Sequence, residues 1–180
     1  MVRQLVERIR QKDQRAMAEL YQQYVGELAS VCYRYVPQEN DAKDVLQNSF
    51  VKIFTSIGSF EYRGEASFRG WMKKLVANEA LRYLKNRKRL LFAEHEAARM
   101  KYENEEDLEP EQVSPDILHQ LITELPDGYR MVLNLFVFEG YSHKQISELL
   151  GISEATSASQ LFYAKRLLAK MIKDVTRKQG

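Results

Sequence analysis

The amino-acid sequence predicts an all-α protein built from two small helical domains joined by an acidic linker. Three observations predict it: apolar residues recur at spacings of three and four, charge divides unevenly along the chain, and the C-terminal third carries helix caps and a glycine-broken helix pair. The 180 residues are 44% hydrophobic and 29% charged, enough for one ordinary core or two small ones. No apolar run exceeds four residues, and the basic start MVRQLVERIR has no apolar segment behind it. Neither a membrane span nor a secretory signal is therefore expected, and the protein is expected to be cytoplasmic. A single cysteine, Cys32, precludes an internal disulfide. His95, His119 and His143 are widely spaced, with no CxxC and no HExxH, so neither a metal nor a cofactor is expected.

The net charge of +2 conceals an asymmetry: residues 1–90 carry +7, residues 91–113 carry −6 and residues 114–180 carry +1. Residues 92–113 are acidic and end against Ser114-Pro115, which marks them as a flexible linker between domains at 1–91 and 114–180.

In the first domain, Leu20, Tyr24, Leu28 and Val31 mark one helix, Leu46, Phe50, Ile53 and Ile57 a second, and Phe68, Met72, Leu75 and Val76 a third. Pro37–Asn40 and Gly58–Ala66 interrupt them, and Ser67 is placed to cap the third. Three apolar faces closing on one another make a helical bundle.

The second domain is punctuated more sharply. Ser114 with Pro115 opens a helix whose Leu118, Leu121, Ile122 and Leu125 share a face until Pro126 stops it. A second helix carries Val132, Leu133, Leu135 and Phe136 and ends at Gly140. Ser142 and Gln145 form a capping box for a third, with Ile146, Leu149 and Leu150 inward. Gly151 breaks it, and Ser153 caps a fourth that buries Leu161, Ala164, Leu167 and Leu168. Helix, glycine turn, helix is the helix-turn-helix plan.

Two surfaces could carry function. The start of the fourth helix is polar, with Glu154, Thr156, Ser157, Ser159 and Gln160, and Glu154 to Tyr163 contains no Lys or Arg. Base reading there falls to Gln160, Ser159 and Phe162, and phosphate anchoring to Lys144, Lys165 and Arg166. In the first domain Lys74, Asn78, Arg82, Lys85 and Arg89 form one polar stripe at helical spacing, a pattern suited to a nucleic-acid backbone and one base. Among Phe60, Tyr62, Trp71 and Tyr83, Tyr62 beside Arg63 is the candidate for stacking on an unpaired base, and Trp71 is assigned to the core. The residues alone leave open that both surfaces are plain solvated helix faces.

Together, DAKDVLQNSFVKIF (41–54), SFRGWMKKLVANEAL (67–81) and ELPDGYRMVLNLFVFEGYSHKQISELLGISEATSASQL (124–161) resemble, in order and spacing, bacterial RNA polymerase sigma factors of the extracytoplasmic-function type. The resemblance implies that the first domain is sigma region 2, which opens the minus-10 element, and the last is region 4, which reads the minus-35 element as duplex. It implies that Asn78 contacts the opened strand, that Glu61–Ala66, with Tyr62 and Arg63, forms the base pocket, and that Lys74, Arg82 and Lys85 hold phosphates. It further implies that Asp44, Gln47, Asn48 and Lys52 dock on core RNA polymerase. Minus-35 binding is expected from Lys144, Thr156, Ser159, Gln160, Phe162, Tyr163, Lys165 and Arg166. The expected partners are core polymerase, promoter DNA and an anti-sigma factor, the last because the chain stops soon after region 4. Ala155, Ser157, Ala158 and Gln160 depart from the family's usual recognition helix, so the upstream preference is expected to differ. The alternative is a self-standing helix-turn-helix regulator. An enzyme is not expected, since no nucleophile with a base, no paired carboxylates and no phosphate-binding glycine loop is found.

Overall fold

A computed structural model describes residues 2–86 and 113–179, with side chains through 177. The described residues form helices and no strand. The chain divides into two compact units, Met1–Asn86 and Arg87–Gly180. The expected linker, apart from Val113, and Arg89 lie outside the described residues.

The first unit comprises α1 (Val2–Arg10), α2 (Gln14–Tyr35), α3 (Glu39–Ser56) and α4 (Glu65–Asn86). Helix α1 was not among the expected elements, although Val2, Leu5, Val6 and Ile9 repeat at helical spacing and all are buried. Asp13 caps α2 by accepting from the Arg15 and Ala16 amides (2.9 and 3.2 Å), and Arg8 of α1 donates to the same carboxylate (2.9 Å). The core joins Leu20, Tyr24, Leu28 and Val31 of α2 to Phe50, Ile53 and Ile57 and to Phe68, Met72 and Val76 of α4. Ala42 and Val45, not Leu46, are buried in the first half of α3, and Leu75 is half-buried. Neighbouring positions lie about 100° apart on a helix, so a residue adjacent to the apolar stripe falls on its margin. Helix α4 starts two residues before the expected cap at Ser67. Gly64, at φ +115°, takes a backbone conformation that favours glycine, and its carbonyl already accepts from the Phe68 amide (3.1 Å).

The second unit comprises α5 (Pro115–Glu124), α6 (Asp127–Leu133, continued by a π turn at Asn134–Phe138), α7 (His143–Leu150) and α8 (Glu154–Gln179). Ser114 accepts from the Ile117 amide (3.3 Å), and the Ser142–Gln145 capping box is complete in both directions (3.2 and 2.9 Å). Gly151 ends α7 in the left-handed conformation (φ +71°), and Ser153 accepts from the Thr156 amide (2.9 Å) to open α8. Leu161 and Ala164 of α8 are buried against α5, α6 and α7, whereas Leu167 and Leu168 are half-buried. At 26 residues α8 is longer than each helix it packs on, which leaves its second half less covered. Among the described residues no helix is long and apolar enough to cross a membrane.

Arg130, 4% exposed, joins α5 to α6. It donates to the carbonyls of Leu125 (2.7 Å) and Thr123 (3.2 Å) and pairs with Asp127, so the last turn of α5 and the first of α6 share one guanidinium. Arg130→Met is expected to destabilise the second unit by about 2–4 kcal/mol, because buried carbonyls lose a charged donor. Amide exchange of α5 and α6 in the full chain measures it; unchanged protection there would contradict the role.

Candidate nucleic-acid interface

Helix α4 separates two populations of side chains. Phe68, Met72, Val76, Ala80 and Leu84 recur every four residues and are buried, while Lys74, Asn78, Arg82 and Lys85 are all exposed. The expected polar stripe therefore stands on the solvent side of α4 as far as Asn86. Two further cations of α4 lie on its side toward α2. Arg69 (2.8 Å) and Lys73 (2.7 Å) converge on Glu27 of α2. Burial pushes the Glu27 carboxyl up, but Lys73 and Arg69 outweigh it and hold it below its ordinary range.

Glu79 sits where the stripe meets the core. Its side chain is 3% exposed, and it pairs with Lys52 of α3 and with Arg82 one turn on (2.5 Å). Burial raises its pKa, and the hydrogen bonds and charges of Lys52 and Arg82 lower it further than burial raises it. Beside it, Val45, Asn48, Arg82, Tyr83 and Asn86 line a cleft of about 170 Å³ between α3 and α4. Sequence reasoning missed Glu79. The one signal available was an acid three residues before an arginine, amid the cations of α4 and far from its only other acid, Glu65.

A larger open cleft, about 500 Å³, lies where the α3–α4 loop meets α4. Ser59, Phe60, Glu61, Arg63, Ser67, Gly70, Trp71 and Lys74 line it. Its volume falls in the ~300–1,000 Å³ range of small-ligand sites. Trp71 is half-buried rather than enclosed in the core as expected; its ring stacks on Phe60 (centroids 4.6 Å apart) and Phe68 (5.8 Å), leaving an aromatic surface in the cleft. Tyr62, expected as the stacking residue, is half-buried, 6.4 Å from Phe68, and does not line the cleft; Arg63 does.

On α3, Asp44, Gln47 and Asn48 are exposed and share a face at spacings of three and four with the half-buried Lys52. Val51, 60% exposed, lies among them, and Tyr21 of α2 is 43% exposed with its ring 4.6 Å from Phe50.

The second unit carries the helix-turn-helix, α7–Gly151–α8. His143, at the start of α7, meets Ser157 Oγ through Nδ1 (2.9 Å) and stacks on Phe136 (4.7 Å), which ties the first turn of α8 to the rest of the unit. Ser159, Phe162 and Lys165 are exposed on α8, as is Lys144 on α7, and Arg166 lies 5.4 Å from the Phe162 ring. Thr156 is half-buried in the N-terminal cap, and Tyr163 is half-buried and stacked on Tyr129 (6.3 Å). Two expectations are corrected. Gln160 is only 4% exposed and its side-chain oxygen finds no hydrogen-bond partner among the described residues, so in this structure it faces inward, away from a groove. Ser157 is fully buried against His143. The i, i+3, i+4 run Ser157–Gln160–Leu161–Ala164 continues the apolar face, and polar side chains occupy its first positions.

The chain thus carries a helix-turn-helix in one unit and a cationic helix beside an aromatic cleft in the other, a combination found among proteins that bind nucleic acid. Comparison with known proteins narrows this. The family model for Sigma-70 region 2 matches residues 20–90 and that for Sigma-70, region 4 matches residues 116–168, together more than half of the chain. Similar curated proteins are the RNA polymerase sigma-H factor of Pseudomonas aeruginosa and the ECF RNA polymerase sigma-E factor of Escherichia coli. Each is 29% identical over 185 residues, covering 97% of this chain and 95% of the relative. Among solved structures, CnrH in complex with the cytosolic domain of CnrY shares the fold at 19% identity and a TM-score of 0.51, covering 96% of this chain and 97% of that one. Bartonella quintana RpoE, bound to the anti-sigma factor NepR, shares it at 16% identity and 0.51, covering 87% and 96%. The chain belongs to the sigma-70 family, extracytoplasmic-function type, and serves promoter-specific transcription initiation.

Because the folded Glu79 carboxyl is held below its ordinary value of 4.5, its pairing contributes fully above that value and is lost as pH falls through the folded value. The stability gap between wild type and Glu79→Gln is therefore expected to be widest near neutrality and to shrink as the pH falls below 4.5. Urea midpoints across that range measure it, and a gap independent of pH would rule out the pairing.

Proposed function

We propose that this chain binds core RNA polymerase through the α3 face bearing Asp44, Gln47, Asn48 and Lys52 and opens promoters through its first unit. Residues 1–91 then act as region 2, 92–113 as the connecting linker and 114–180 as region 4. The observation that carries this reading is the aromatic cleft of Phe60 and Trp71 placed directly beside an exposed stripe of three cations and Asn78. A base leaving the duplex costs a few kcal/mol, which stacking in such a cleft and phosphate contacts from Lys74, Arg82 and Lys85 offset. Opening is then capture of a transiently unpaired base, with no bond-breaking chemistry, and the protein is not an enzyme. It works in the cytoplasm, where core polymerase and promoter DNA are.

Region 4 reads the upstream element through Ser159 and Phe162, with Lys144, Lys165 and Arg166 on phosphates. Few cations reach the groove, so affinity without polymerase is low. An anti-sigma factor that covers both units is the proposed inhibitor; the structural relative RpoE was solved in complex with an anti-sigma factor, NepR.

Run-off transcription with core polymerase over a promoter library tests the reading. Discrete start sites are expected; sequence-specific duplex binding by the purified chain alone, without polymerase-dependent initiation, would favour a self-standing regulator. Asn78→Ala is expected to impair open-complex formation by about 1–3 kcal/mol, read by permanganate footprinting, with polymerase affinity unchanged. Equal opening by both proteins would remove Asn78 from the site. At the upstream element, Phe162→Ala and Ser159→Ala should alter base preference, whereas Gln160→Ala should change thermal stability and leave preference intact. Selection of binding sites from randomised upstream sequences distinguishes them.

A further inference from the structure

The loop that lines the aromatic cleft is held from outside the cleft, by a residue of α1. Arg10 donates from Nε to the Ile57 carbonyl (3.3 Å) and from Nη2 to the Phe60 carbonyl, while Nη1 pairs with Glu7 one turn back on α1 (2.8 Å). Ile57 closes α3, and α3 has no basic residue in its own last turn. Helix C-termini leave carbonyls without intrahelical donors and carry partial negative charge. Arg10 supplies from another helix the cation that α3 lacks.

Its two acceptors lie three residues apart and bracket Gly58 and Ser59, so one planar fork sets the direction in which the chain leaves α3. Phe60 then arrives stacked on Trp71, and Glu61 and Arg63 follow as exposed lining of the cleft. Gly64 anchors the far end of the loop at a φ that favours glycine. Arg10 does not line the cleft.

We infer that Arg10 is a positioning residue for base capture: by holding the carbonyls of Ile57 and Phe60 it sets the Phe60–Trp71 surface on which the unpaired base stacks. The inference rests on reading that cleft as the base pocket. A lysine has the charge but not the fork, and reaches the two carbonyls less well.

The test uses holoenzyme reconstituted from core RNA polymerase and the full chain, with forked DNA carrying the minus-10 region of a promoter from which the wild type initiates. The captured nucleotide is either intact or abasic. Arg10→Met is expected to lose about tenfold in affinity for the intact fork, the scale of one or two net hydrogen bonds, and less than about twofold for the abasic fork. Its affinity for core polymerase stays that of the wild type. Arg10→Lys should fall between wild type and Met on the intact fork. Amide exchange at residues 58–63 should rise in both variants. Should the Met variant fail to fold, the Lys variant and its exchange data decide. Equal losses on intact and abasic forks would overturn the inference, since Arg10 would then only staple α1 to the bundle. If wild-type holoenzyme itself does not distinguish the two forks, the pocket reading fails first, and the role of Arg10 with it.

Discussion

One carboxylate is shared by two surfaces of the first unit. Glu79 is almost fully enclosed, which by itself would drive it toward the neutral acid, and it stays charged because Lys52 and Arg82 both reach it. Lys52 belongs to the α3 face proposed to dock on polymerase, and Arg82 to the α4 stripe proposed to hold DNA. Breaking a buried pair is far costlier than replacing the whole of it, so neither cation is independent of the other. Anything that draws Lys52 or Arg82 away changes the field felt by its counterpart, and the two faces are linked through a single buried group.

The second unit solves its packing problem with polar connectors as much as with apolar volume. Arg130 joins α5 to α6 through backbone carbonyls, the Ser142–Gln145 box and Ser153 hold the ends of α7 and α8, and His143 with Ser157 fixes the turn between α7 and α8. Hydrogen bonds are directional where apolar contacts are not, so these groups set the angle at which α8 presents its exposed side. That side is weakly cationic: between Glu154 and Phe162 it has no Lys or Arg. A helix of this kind gains little from phosphates, and a tether to a larger DNA-bound assembly would raise its effective concentration at one site.

The cleft places two aromatic residues where local spacing does not put them: Trp71 lines it and Tyr62 does not. Trp71 follows Phe68 by three residues on an amphipathic helix, and periodicity places it toward the core. The α3–α4 loop brings Phe60 to stack on it and leaves it half-buried at the edge of an open cleft. Tyr62, in a loop of charged residues, looked exposed and instead folds back toward Phe68. Neither outcome is written in local spacing, because the path of a loop is decided by what holds its ends, here Arg10 and Gly64.

From the residues alone came the all-α class, three of the four helices of the first unit, the caps and glycine break of the second, and the exposed stripe from Lys74 to Lys85. All are local properties, set by 3.6-residue periodicity, cap chemistry and the conformations open to glycine. Tertiary structure alone decided that Gln160 and Ser157 turn inward, that α1 closes the first bundle, that Glu79 is a shared buried anion, and that Trp71 faces a cleft. Each depends on which helix covers a given side chain, and that is a contact between residues far apart in the chain. Arg10 is 47 residues from Ile57, and Lys52 is 27 from Glu79, so no reading of neighbouring positions could have paired them.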